Sequence, residues 1–175
     1  MTTGDGSSRI APRDDEARVK LTEFISKKAI IPTLKAKDKR GAIQEIVQAM
    51  RKANDTEKFA VAEIVDAIMA REKLGSTGVG GGVGVPHAKL EGVKGVIGGF
   101  GRSAAGLEFN AVDGEAVHVV FVILSPPSRN DEYLKALQKV MTAFKRPNFV
   151  RFLKGAKSSK EIEEIFKETE EVASV

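Results

Sequence analysis

The apolar pattern of this chain changes character twice, and that order limits the folds open to it. Between Asp38 and Met69 apolar residues recur at helical spacing: Ile43, Ile46, Val47 and Met50 in one stretch, then Ile64, Val65, Ile68 and Met69 in a second. From Val93 to Leu124 they gather into short runs that read as strands: Val93–Phe100, Leu107–Phe109 and Val117–Leu124. After Pro126-Pro127 the helical spacing returns, with Leu134, Leu137, Val140, Met141 and Phe144 on one face and Ile162, Ile165 and Phe166 on a last helix. Helices before and after a grouped set of strands predict an α/β fold, a mixed β-sheet flanked by helices on both faces. A purely parallel doubly wound sheet would need a helix after each strand, and the pattern has none there.

Local signals refine this reading. Asp38 is a cap-type residue and opens the first long helix. Asn54, Asp55 and Thr56 are expected to cap the second, and Gly75 to stop it. Ala29–Leu34 is a short apolar run that reads as a strand, with Pro32 arguing for an edge or irregular position. Asp113-Gly114 reads as a turn, Pro147 as a helix breaker, and Ser158 with Glu161 as a capping box. Residues 1–18 are polar and rich in Gly, Ser, Thr and mixed charge, and are read as a disordered tail. Residues 19–175 are read as a single domain, in keeping with a chain of 175 residues.

Composition removes several function classes. With no cysteine, disulfide frameworks, thiolate nucleophiles and thiolate metal sites all drop out. The longest apolar run, Val117–Leu124, falls far short of the roughly 20 residues that span a bilayer, so no membrane insertion is expected. The start lacks a charged-then-apolar stretch, so a secretory signal is not expected and the chain is placed in the cytoplasm. The net charge is +4, from 28 basic and 24 acidic residues, and Lys35–Arg40 is the one local basic cluster. Nucleic acid is not expected as a partner, since there is no basic stripe with aromatics beside it. A nucleic-acid role would show itself as salt-sensitive binding.

The chemistry narrows to a few side chains. There are two histidines, His87 and His118, which excludes a metal site built on several of them. The Gly78–Gly84 stretch matches neither G-x-G-x-x-G nor a P-loop, so no nucleotide or other cofactor is expected. His87 follows Gly84-Val85-Pro86, where glycines permit close approach of a backbone or a phosphate and proline fixes the chain direction. A neutral imidazole there offers a nucleophilic nitrogen; the plainer reading is a hydrogen-bonded loop histidine. His118 reads as a strand-end histidine that packs or hydrogen-bonds beside the sheet. Arg71 and Glu72 read as an ion-paired or solvated helix end, though a guanidinium also grips phosphoryl groups through parallel hydrogen bonds. Ser76 and Thr77 either donate to the same group or cap the turn at Gly75.

Taken together, Arg71-Glu72, Gly75-Ser76-Thr77, Gly80 and Gly82-Val83-Gly84-Val85-Pro86-His87 resemble the signature of the IIA proteins of the mannitol/fructose class. That class belongs to the bacterial sugar phosphotransferase system, and the nitrogen-regulatory IIA proteins share the signature. Leu34–Lys39 with the helix after it, and Asp113-Gly114 with Val117–Leu124 and Pro126, extend the resemblance over about Leu21 to Glu170. The resemblance implies that His87 accepts a phosphoryl group from the phosphocarrier protein, with Arg71 beside the ring. It implies as partners a IIB domain for sugar-transporting members, or a regulatory target protein. Two departures stand out: Tyr133 occupies the place where many members carry a second histidine, and Gly84 the place of a more common alanine. The lack of an attached transport domain tilts the reading toward a regulatory protein. The alternative is a regulatory binding module of the same fold that has lost efficient phosphotransfer.

Overall fold

The computed structural model describes residues 20–54 and 59–173. In chain order the elements are helix α1 (Leu21–Phe24), strand β1 (Ile25–Ile31), helices α2 (Lys39–Ala53) and α3 (Val61–Glu72), and strands β2 (Gly78–Gly80), β3 (Val83–Gly84) and β4 (His87–Lys89). There follow strands β5 (Ile97–Leu107) and β6 (Val117–Ser125), a 3-10 turn at Pro127–Arg129, and helices α4 (Asn130–Phe144), α5 (Phe149–Gly155) and α6 (Ser159–Ala173).

The sheet is mixed, with strand order β1-β5-β6-β3-β2 and β4 also paired to β6. β1 runs parallel to β5, β5 antiparallel to β6, and both β3 and β4 parallel to β6. The apolar run Val117–Leu124 becomes β6, central and buried on both faces. Its residues alternate. Val119, Phe121 and Ile123 join α1, α4, α5 and α6 on one side, where Phe100 meets Phe121 and Phe166 edge-on with ring centroids 4.9 and 5.5 Å apart. Val120, Val122 and Leu124 join α2 and α3 on the other. The expected sheet with helices on both faces is what the chain forms.

Glycines set the distance between α2 and the sheet. A Cβ at Gly99 would lie 2.6 Å from Met50 Cγ and 2.7 Å from Ile46 Cγ2, so the helix sits directly on bare β5 backbone. Gly84 answers to a similar constraint, because a Cβ there would lie 2.8 Å from Phe109 Cε1.

Several local expectations hold. Asp38 caps α2, its Oδ1 accepting from the Gly41 N–H at 2.6 Å. Gly114 closes a turn by donating to the Ala111 carbonyl at 3.0 Å, and the Glu161 N–H donates to Ser158 Oγ at 3.1 Å. Others need correcting. Asn54 ends α2 rather than capping α3: its backbone N–H and Nδ2 both donate to the Met50 carbonyl, at 3.0 and 2.9 Å. α3 begins after Ala60, and Asp55 and Thr56 lie outside the described residues, as does the 1–18 segment. The edge strand starts at Ile25 and stops before Pro32, whose missing N–H ends the ladder. Val93–Phe100 and Leu107–Phe109 are not two strands; β5 is one long strand, irregular between Arg102 and Leu107. Its glycines hide it from propensity, and two of them, Gly99 and Gly101, are ones α2 packs on. On α4, Leu134 is exposed, and the buried face is Tyr133, Ala136, Val140 and Ala143. Small residues let the helix lie close to the sheet, and Leu137, Met141 and Phe144 flank that seam.

Gly99→Ala is expected to lower stability by about 1–3 kcal/mol through overpacking against Met50 and Ile46. Urea unfolding measures it, and an unchanged midpoint would contradict the close approach of α2.

Candidate functional site

β3 and β4 share one side of β6. β3 pairs with Val119 and Val120, and β4 with Ile123, Leu124 and Ser125. Between them the chain steps over Val85-Pro86. The Val85 N–H donates to the Thr77 carbonyl at 3.0 Å, and the Pro86 carbonyl accepts from Ile123 N–H at 3.1 Å. The proline thus keeps the acceptor that registers β4 while lacking the donor that would continue β3.

His87 is the first residue of β4, and its ring is half-buried. Its Nδ1–H donates to the Val85 carbonyl at 2.8 Å. A carbonyl only accepts, so the proton of the neutral ring sits on Nδ1 and the lone pair on Nε2. Burial is the main cause that holds the His87 pKa below its ordinary value. The Val85 bond opposes this, the Arg71 charge adds to it, Glu72 opposes it, and Lys89 adds again.

Arg71 lies in the last turn of α3, and its Nη1 donates to the Gly75 carbonyl at 3.0 Å, which holds the guanidinium over the turn. Its charge acts on His87 and on Tyr133 alike. Tyr133, in the first turn of α4, is 6% exposed, and its ring centroid lies 5.8 Å from that of His87 with the planes tilted at 56°. Burial raises the Tyr133 pKa, against the pull of Arg71, so the phenol stays protonated and uncharged near neutral pH.

Ser76 and Thr77 stand between α3 and β2, and their hydroxyls serve the loop itself. Ser76 Oγ donates to the Phe109 carbonyl at 2.7 Å and accepts from the Gly78 N–H at 3.0 Å. Thr77 Oγ1 donates to Glu72, and its N–H donates to Glu72 Oε2 at 3.3 Å. Glu72 is 8% exposed and also pairs with Lys39 Nζ at 2.8 Å. A buried carboxylate is tolerated because each of these neighbours supplies a donor. So Glu72 is more than a helix end: it ties α3, α2 and the Ser76-Thr77 segment together.

His118 stays apart. Its Nδ1–H donates to the Ser103 carbonyl at 3.0 Å. It lies five residues along β6 from Ile123, the partner of His87, or about 16 Å at strand rise. Two side chains at the site escaped the sequence reading. Lys89 Nζ lies 5.2 Å from the Tyr133 ring centroid and donates to Asn130 Oδ1 at 2.6 Å. The strand period of two, which puts Lys89 on the same side as His87, was the signal for the first. Among the described residues no cluster of His, Cys, Asp and Glu could hold a metal ion. Lys39 and Arg40, from the basic cluster, are ion-paired with Glu72 and Asp66.

Residues 23–169 match the family model described as phosphoenolpyruvate-dependent sugar phosphotransferase system, EIIA 2. The chain belongs to that family. The EIIA 2 family acts in phosphoryl transfer. A nitrogen regulatory protein of Bradyrhizobium diazoefficiens is 31% identical over 142 residues, covering 81% of this chain and 91% of that protein. The fructose-specific EIIABC component of Bacillus subtilis is 33% identical over 150 residues, 84% of this chain but 23% of that longer protein. Among solved structures, the nitrogen regulatory protein IIA-Ntr of Neisseria meningitidis superposes with a TM-score of 0.75 at 29% identity, covering 82% of this chain and 97% of that one. IIA mannitol from Escherichia coli shares the fold at a TM-score of 0.65 and 24% identity, over 79% of this chain and 96% of that one. Among the described residues of this EIIA 2 chain, no helix is long and apolar enough to cross a membrane.

An NMR titration is expected to place the His87 pKa below the ordinary 6.5. Arg71→Gln should move it upward, because a positive neighbour disfavours the imidazolium. A midpoint at or above the ordinary value, unmoved by that substitution, would contradict the geometry.

Proposed function

We propose that His87 is the phosphoryl acceptor of this chain. It takes the group on Nε2 from a phosphohistidine of the phosphocarrier protein, then passes it to a IIB partner or holds it as a signal read by a regulatory target. One observation carries the reading: the Val85 carbonyl fixes the Nδ1–H, so Nε2 presents its lone pair on a half-buried ring in the field of Arg71.

The chemistry asks for position and charge compensation. Nε2 attacks phosphorus in line, the new N–P bond forms, and the bonding pair of the broken N–P bond returns to the donor ring. Three equatorial oxygens carry the negative charge, and the Arg71 guanidinium, whose charge acts on His87, supplies the compensation. Ser76 and Thr77 support the site indirectly: with Glu72 they hold the segment that leads from Arg71 to β2. A depressed pKa keeps the His87 nucleophile neutral at pH 7, so acceptance falls only as pH drops below the usual imidazole range.

Both routes onward from His87 have parallels among similar proteins. Relatives include fructose-specific components and nitrogen regulatory proteins, and the E. coli IIA mannitol protein is seen in complex with phosphorylated IIB. A second reading, a regulatory binding module with weak phosphotransfer, draws on Tyr133, whose uncharged phenol stands against the His87 ring.

Incubation with phosphoenolpyruvate, the general phosphotransferase enzyme and the phosphocarrier protein should give an acid-labile phosphate that His87→Ala abolishes. An unlabelled wild-type chain would overturn the relay. Label surviving in His87→Ala would move the acceptor elsewhere. A partner that binds wild type, His87→Ala and His87→Asp equally well would favour the second reading.

A further inference from the structure

We propose that Lys89 is the second cation of the phosphoryl site, its ammonium taking an equatorial oxygen of the group carried on His87 Nε2 while Arg71 takes another. This rests on His87 as the acceptor and names a residue that the motif from Arg71 to His87 does not contain. Lys89 follows His87 by two positions on β4, so both side chains leave the same side of the strand, with Cα atoms about 7 Å apart. That spacing suits a lysine stem reaching an oxygen bound at the imidazole.

The ammonium is also held in place. It lies 5.2 Å from the Tyr133 ring centroid and donates to Asn130 Oδ1 at 2.6 Å, both residues belonging to the first turn of α4. The Tyr133 ring centroid is 5.8 Å from that of His87, so His87 and Lys89 meet around one phenol. Tyr133 carries no positive charge; its π-face instead attracts one, and the cation it attracts is Lys89. An ammonium has three N–H donors, and Asn130 uses one, leaving two for phosphoryl oxygens. The charged and titratable groups that act on His87 are Arg71 and Glu72 from α3 and Lys89 from its own strand, with Tyr133 facing it from α4. Lys89 therefore already acts on the empty ring, lowering its proton affinity.

The test loads the protein chemically, without partner proteins. Phosphoramidate donates its phosphoryl group to Nε2: the N–P bond forms, the bond to nitrogen breaks, and ammonia leaves. Loading and subsequent hydrolysis are followed by phosphorus NMR for wild type, Lys89→Gln and Lys89→Arg. The His87 pKa is measured in parallel on the unloaded proteins. Lys89→Gln should slow loading by about tenfold, the effect of removing one charge-assisted hydrogen bond, and raise the His87 pKa. Lys89→Arg should retain most of the rate, since it restores a cation. Equal loading rates in wild type and a folded Lys89→Gln variant would overturn the proposal, as would Lys89→Arg behaving like Lys89→Gln. A wild type that loads from phosphoramidate but not from the phosphocarrier protein would overturn the relay and leave this comparison decisive. A wild type that loads from neither would overturn both.

Discussion

One hydrogen bond organises the chemistry of this protein: the 2.8 Å contact from His87 Nδ1–H to the Val85 carbonyl. It settles the tautomer, and with it which nitrogen would bond phosphorus in the proposed relay. The acceptor is a backbone oxygen two residues back, so the ring is oriented by the path of the chain itself. That path is set by β6, which holds β3 at Val119 and Val120 and β4 at Ile123 to Ser125. The long buried strand is therefore what aims the imidazole. Burial of β6 on both faces makes the aim stiff, since neither layer of helices can shift without opening a core.

Charges of both signs act on the ring. The cations are Arg71, tied to the Gly75 carbonyl, and Lys89, tied to Asn130. The anion is the buried carboxylate of Glu72, paired with Lys39 and bonded to Thr77. Glu72 follows Arg71 directly at the end of α3, so its anchoring fixes the turn from which the guanidinium extends. These charges act on His87 in opposite senses: the cations disfavour a proton on the ring and Glu72 favours one. Burial decides the balance, leaving a neutral imidazole at physiological pH. In the proposed relay, the same cations that disfavour a proton on His87 would favour a phosphoryl dianion there.

Much of this was legible in the residues. The change from helical spacing to strand runs and back pointed to the layered α/β architecture, and Asp38, Gly114 and Ser158 marked ends that the backbone confirms. The order Arg71, Ser76, Thr77, Pro86, His87 pointed to the candidate site through its resemblance to the IIA signature, since each of these residues alone has a plainer reading. Other features were hidden for physical reasons. β5 is rich in glycine, which weakens a strand signal, yet at Gly99 and Gly101 a Cβ would collide with Met50 or Ile46 of α2. The burial of Tyr133 in place of Leu134 depends on small residues at Ala136 and Ala143, a matter of packing that periodicity alone does not settle. Asn130 meets Lys89 across 41 positions of chain, a pairing that only the folded sheet creates.

The central claim is that the Val85 carbonyl reserves Nε2 of His87 for phosphorus. The most direct measurement is a nitrogen–phosphorus NMR experiment on phosphorylated protein with nitrogen-15 in its histidine rings. Phosphorus coupling at Nε2 of His87, with Nδ1 still bearing its proton, is the predicted result. Phosphorus bonded to Nδ1, or to His118, would contradict the account.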